Sequence, residues 1–100
     1  MSPEREAATG KQAAAQVERE MGIVRDPKLT AYVQQIGARM AKLSPRQDVK
    51  YQFAIADMAE PNAFALPGGY VYVSRGLLAL ANDEDELAGV IGHEIGHVAA

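Results

Sequence analysis

The only two histidines in the chain, His93 and His97, stand four residues apart, and Glu94 directly follows the first. On a helix, residues at that spacing lie about 40° apart around the axis and about 6 Å apart along it, so two imidazoles can reach one tetrahedral cation. A carboxylate next to the first histidine then lies beside the water that such a cation activates, where it serves as a general base. H-E-x-x-H is the order used by zinc hydrolases. With no cysteine in the chain, any metal site has to draw on His, Asp and Glu. His93 and His97 are therefore the candidate zinc ligands, and Glu94 is the candidate catalytic base.

A helix from about Asp83 to the end of the chain has to carry these three residues. On a helical wheel Leu87, Val90, Ile91, Ile95 and Val98 form an apolar arc, and Ala88, Gly89, Gly92, Gly96 and Ala99 form a second arc of small residues. His93 and His97 fall in a narrow sector at the edge of the apolar arc. No solvated face is left after Glu86, so the helix is expected to be buried. Glu94 falls inside the apolar arc, where a bare carboxylate would be costly and a nearby cation would offset the cost. The interior glycines lower helix propensity, which close approach of another backbone or of a substrate-binding strand would account for, as would tight packing of a structural helix. Asn82, Asp83, Glu84, Asp85 and Glu86 gather acid at the helix start, as capping and the helix dipole favour.

Two helices are expected upstream. One runs from about Glu4 to Met21, frayed at its start and interrupted at Thr9-Gly10, with Gly22 as its stop. Asp26 and Pro27 form an N-cap and first position, after which Leu29, Tyr32, Val33, Ile36, Met40 and Leu43 recur at helical spacing up to Pro45. Alternation of Val49, Tyr51, Phe53 and Ile55 predicts a strand, Ala63 to Leu66 a short extended piece, and Tyr70 to Val73 another strand after a Pro67-Gly68-Gly69 turn. Ser74 caps a short helix through Ala81. The fold class is α+β: a single domain over residues 1–100, with N-terminal helices, a small mainly antiparallel sheet and a buried C-terminal zinc helix.

Composition fits an ordinary globular chain, at 48% hydrophobic and 23% charged residues. The net charge of −3 leaves no basic footprint for nucleic acid, which is excluded as a partner. The N-terminus lacks the apolar stretch of a signal peptide, although a mature domain with its export signal removed would read the same way. No run of about 18 apolar residues is present to span a bilayer.

Several segments carry a family likeness. Asn62-Ala63-Phe64-Ala65-Leu66-Pro67-Gly68-Gly69, Tyr70-Val71-Tyr72-Val73, Gly76-Leu77-Leu78, Glu84 to Leu87 and His93 to Val98 resemble the zinc peptidase family of the heat-shock protease HtpX, the CAAX prenyl endopeptidases and the soluble periplasmic BepA-type proteases. Asp26 to Gly37 resembles the soluble periplasmic branch most closely, and the likeness runs from about Glu18 to Ala100.

The resemblance implies a gluzincin, in which His93 and His97 bind Zn2+, Glu94 activates water, and a third ligand, a glutamate, comes from a helix further downstream. It implies that these residues are the N-terminal part of a catalytic domain. Alone they are then expected to be weakly active at most, and to self-associate through the face that the remainder would cover. Ala63 to Leu66 resembles the family's edge strand, against which a polypeptide substrate pairs by β-augmentation. Asn62, Ala63, Phe64, Ala65, Leu66, Pro67, Gly68 and Gly69 are accordingly the candidate substrate-binding residues. By the same resemblance the substrates are misfolded or misassembled envelope proteins. The location is the periplasm or the periplasmic face of a membrane, with which the full-length protein is associated. The rival reading is a metal-binding chaperone or adaptor that holds unfolded segments without cutting them.

Overall fold

The computed structural model describes residues 2–99. Its elements follow in the order α1 (Pro3–Glu20), α2 (Pro27–Ala41), β1 (Gln52–Ala56), β2 (Ala63–Leu66), β3 (Tyr70–Ser74), α3 (Arg75–Leu80) and α4 (Glu84–Ala99). The class is α+β.

Local chemistry starts and stops these elements. The Ser2 hydroxyl accepts the Arg5 N–H ahead of Pro3, and the Asp26 carboxylate accepts the N–H groups of Lys28 and Leu29 ahead of Pro27. Gly22, at φ +83°, turns the chain after α1. The expected break at Thr9-Gly10 does not occur. Gly10 continues α1, and a Cβ there would sit 1.8 Å from the Pro67 carbonyl oxygen, so the glycine serves a helix-to-turn contact. Leu43, assigned to α2 by its spacing, lies beyond the helix end and is exposed.

The sheet order is β1-β3-β2, with β1 parallel and β2 antiparallel to β3. The sheet is thus mixed rather than mainly antiparallel. Only the tight turn at Pro67-Gly68-Gly69 enforces reversal. Between β1 and β3 the chain is long enough for the crossover of about a dozen residues that parallel pairing requires, and β2 lies within it.

Register places Phe53 beside Val71 and Ile55 beside Val73 on one face. This face meets Val33 and Ile36 of α2 and Leu87, Ala88, Ile91 and Ile95 of α4 in the core. The opposite face carries Tyr70, Tyr72 and Phe64. Phe64 stacks on Tyr72 with ring centroids 5.0 Å apart, and Gly10 of α1 reaches Tyr70 there. No helix among the described residues is long and apolar enough to cross a membrane.

Candidate metal centre

α4 begins where Asp83 accepts the Glu86 N–H at 2.8 Å, and Arg39 of α2 ties down Glu84 at 3.0 Å. Burial of Leu87, Ala88, Ile91 and Ile95 then fixes the rotation of the helix about its axis. That rotation leaves Gly89, His93, Gly96 and His97 exposed and Glu94 half-buried. The helix is therefore buried on one side only, in contrast to the fully buried helix its wheel suggested. The reason lies with the small-residue arc, of which only Ala88 enters the core. A Cβ at Gly89 or Gly96 would meet nothing within 4 Å, and one at Gly92 would meet only the Met40 methyl, at 2.8 Å. Among the described residues, then, no backbone approaches these glycines.

His93 and His97 bring their Nε2 atoms to 3.1 Å, with the rings perpendicular and their centroids 4.7 Å apart. A tetrahedral zinc with Zn–N bonds of about 2.05 Å separates two ligand nitrogens by about 3.3 Å, so the pair stands close to ligating geometry. A Glu94 carboxylate oxygen completes a group of donors that all lie within 4.8 Å of one another. Two imidazole nitrogens at this separation suit zinc, and the Glu94 carboxylate stands near enough to serve as a base on water at the ion, with further ligands supplied from elsewhere. The residues fit the ion.

α4 packs against α2, β2 and β3, and β2 is an edge strand of the sheet. Ser74 donates its N–H to the Asn62 carbonyl at 2.8 Å, which sets the phase of the β2–β3 ladder. Hydrogen-bonded and non-hydrogen-bonded pairs alternate from that point, so Ala63 and Ala65 direct their N–H and C=O groups away from β3. The Asn62 Oδ1 atom accepts the Ala63 N–H at 2.9 Å, leaving Ala65 as the residue whose outward donor and acceptor both face the open edge.

Ala65, Leu66 and Pro67 line a cavity of about 410 Å³ together with His97, Val98, Glu6 and Arg46. The other predicted substrate residues are placed differently. Asn62 and Ala63 lie at the far end of β2, and Phe64 turns its ring onto Tyr72. Gly68 and Gly69 adopt φ of +86° and +95° against α1 and the Val49–Tyr51 segment, so they shape the turn. A wider groove of about 790 Å³ between α1, α2 and β1 contains none of His93, Glu94 and His97.

Sequence reasoning did not find the ionic cluster beside His97. Arg46 donates to both carboxylate oxygens of Glu6, to Asp48 at 3.1 Å and to the Val98 carbonyl at 3.1 Å. These bonds hold the Glu6 and Asp48 carboxyls below the usual carboxylate range and raise the Arg46 guanidinium further above neutrality. Glu6 and Arg46 are 40 positions apart, and no short-range pattern marks such a pair.

Comparison with known proteins agrees with the motif and its setting. The family model described as Peptidase family M48 matches residues 27–100. The chain is 39% identical over 71 residues to the mitochondrial metalloendopeptidase OMA1 of Schizosaccharomyces pombe, a match that covers 71% of this chain and 21% of that protein. It is 40% identical over 78 residues to a putative beta-barrel assembly-enhancing protease of Vibrio cholerae, covering 76% of this chain and 16% of the relative. A protease HtpX homolog of Pyrobaculum calidifontis is 42% identical over 76 residues, covering 72% and 20%. The matched region thus spans only about a fifth or less of these relatives. With the H-E-x-x-H group on α4 and an edge strand beside it, the chain belongs to peptidase family M48.

Proposed function

We propose that this chain is the N-terminal part of the catalytic domain of a zinc endopeptidase that hydrolyses internal peptide bonds. The observation that carries this reading is the approach of the His93 and His97 Nε2 atoms to 3.1 Å, with Glu94 alongside. Held by His93 and His97, zinc would supply a Lewis acid toward the scissile carbonyl and the attacking water. Glu94 would take a proton on a carboxylate oxygen from the water as its oxygen adds to the scissile carbonyl carbon, and would return it to the amine nitrogen as the C–N bond breaks. β2 aligns the substrate, whose backbone pairs with the outward N–H and C=O of Ala65 while the cavity at Leu66 and Pro67 takes a side chain. Main-chain pairing of this kind selects extended polypeptide more than sequence.

Misfolded or misassembled envelope proteins are the proposed substrates, in the periplasm or at the periplasmic face of a membrane. Relatives named as beta-barrel assembly-enhancing proteases support substrates of this kind. In a longer protein carrying this chain, Glu94→Gln should abolish hydrolysis of an unfolded protein and retain one zinc per chain. Full hydrolysis by the variant would remove Glu94 from its role, and undiminished holding of unfolded chains without any cleavage by the parent protein would favour the chaperone reading.

A further inference from the structure

Ser74 ends β3 and caps α3, and it is the one buried polar residue of the described core, with 0% exposure. Its hydroxyl donates to the Glu60 carbonyl at 2.7 Å and accepts the N–H groups of Asn62 at 2.9 Å and Leu77 at 3.0 Å. A serine hydroxyl has one hydrogen and two lone pairs, and all three are used. Its backbone N–H donates in turn to the Asn62 carbonyl. The same loop presses on the first turn of α3 from the other side, since a Cβ at Gly76 would lie 2.0 Å from the Ala59 carbonyl oxygen.

One side chain therefore joins three segments: the approach to β2, the end of β3 and the start of α3. The Pro67 end of β2 is held by the turn against Gly10, and the Asn62 end is held at Ser74. Where Ala63 and Ala65 present their outward groups depends on both attachments. We propose that Ser74 is a positioning residue for substrate binding, which fixes the approach to β2 so that the edge strand keeps its place beside His97. The proposal rests on the reading of β2 as the substrate edge. Ser74 acts through Asn62 and the strand and does not touch the metal-binding group.

Loss of the hydroxyl leaves the Glu60 carbonyl and two N–H groups without their partner, while α4 keeps its own anchors. Substrate affinity should fall more than turnover, as expected when binding common to ground and transition states is lost. In an active protein carrying this chain, Ser74→Ala should keep one zinc per chain and raise KM about tenfold with kcat changed less than about threefold. Hydrogen exchange at Asn62 and Phe64 should quicken by about tenfold or more, and Ser74→Thr, which keeps the hydroxyl, should restore most of both effects.

Unchanged exchange at Asn62 and Phe64 would overturn the proposal while leaving β2 as the substrate edge. Faster exchange with unchanged KM would overturn both. Matched losses of zinc and kcat would reduce Ser74 to a general structural role and so overturn it as well. Should the alanine variant fail to fold, the unsubstituted protein still decides. Asn62, Ser74 and Leu77 amides should exchange through one shared opening, with protection equal within about tenfold, and a gap of more than about a hundredfold between Asn62 and Leu77 would overturn the junction.

Discussion

Gly37 of α2 lies flat against the ring of Phe53, so close that a Cβ at Gly37 would stand 2.5 Å from three ring carbons. Phe53 is buried among Ile55, Val71 and the inner faces of α2 and α4, and its ring has little room to give. Gly37→Ala gains up to about 1 kcal/mol in helix propensity, and it loses about 1–3 kcal/mol to overpacking. The clash should win. Denaturant unfolding should show a net loss of stability, and a more stable variant would show that the ring can move aside.

Ile91 is fully buried at the centre of the face through which α4 meets α2 and the sheet. Ile91→Ala should destabilise the fold by about 2–5 kcal/mol. Because the same face sets the rotation of α4, zinc affinity should fall alongside stability. Calorimetry and metal titration on one preparation test the pair of effects, and intact stability would contradict this account of the core.

His93→Ala and His97→Ala should each abolish stoichiometric zinc binding, since one remaining imidazole cannot hold the ion. Their stability in the absence of metal should change by only about 0.5 kcal/mol, because both side chains are exposed. Metal analysis after dialysis against a weak chelator checks the first part. One tightly held zinc per chain in either variant would show the ligand set to be wrong.

Replacement of Gly68 and Gly69 by Val puts β-branched side chains at φ of +86° and +95°, a strain of about 1–3 kcal/mol per position. The added Cβ atoms would also crowd Glu6 and Ala7 on one side and Lys50 on the other. Peptide cleavage should fall with zinc content intact, because the turn holds Leu66 and Pro67 beside His97. Unchanged cleavage kinetics would separate the turn from substrate binding.

Glu6 bridges α1 to Arg46, and the hydrogen bonds from Arg46 hold its carboxyl below its ordinary value of 4.5. A carboxyl with a lowered folded pKa contributes stability above its unfolded pKa and loses it as the pH falls through the folded value. Unfolding temperatures of the parent protein should therefore drop more steeply below about pH 4.5 than those of Glu6→Gln. Both partners keep some contact with water, so the difference should be small and should shrink in high salt. Parallel acid limbs for the two proteins would show that the pair contributes nothing.

Much of this was legible in the sequence where the signal is local. The N-caps at Asp26 and Ser74, the stop at Gly22, the Pro67-Gly68-Gly69 turn and the register of His93 with His97 each depend on neighbours within four positions, and each appears as read. What escaped depends on distant partners. Gly10 reads as a helix breaker until the Pro67 carbonyl stands against it, and nothing in the spacing of Glu6 and Arg46 announces their ion pair. The parallel pairing of β1 with β3 was missed because alternation shows that a strand exists and is silent about its direction. Gly89 and Gly96, read as sites of close approach, face open space because helical spacing alone does not reveal which arc the core takes.

The mixed sheet also orders events in time. The β2–β3 hairpin is joined by three residues and can close within about 1–10 μs, whereas β1 can take its parallel place only after a longer loop has closed. Until then β3 shows a bare edge on one side and β2 on the other, which is a template for a second molecule's hairpin. Refolding yield should accordingly decline as protein concentration rises, and the captured species should be a paired hairpin in which the edge proposed to take substrate is occupied by the protein itself.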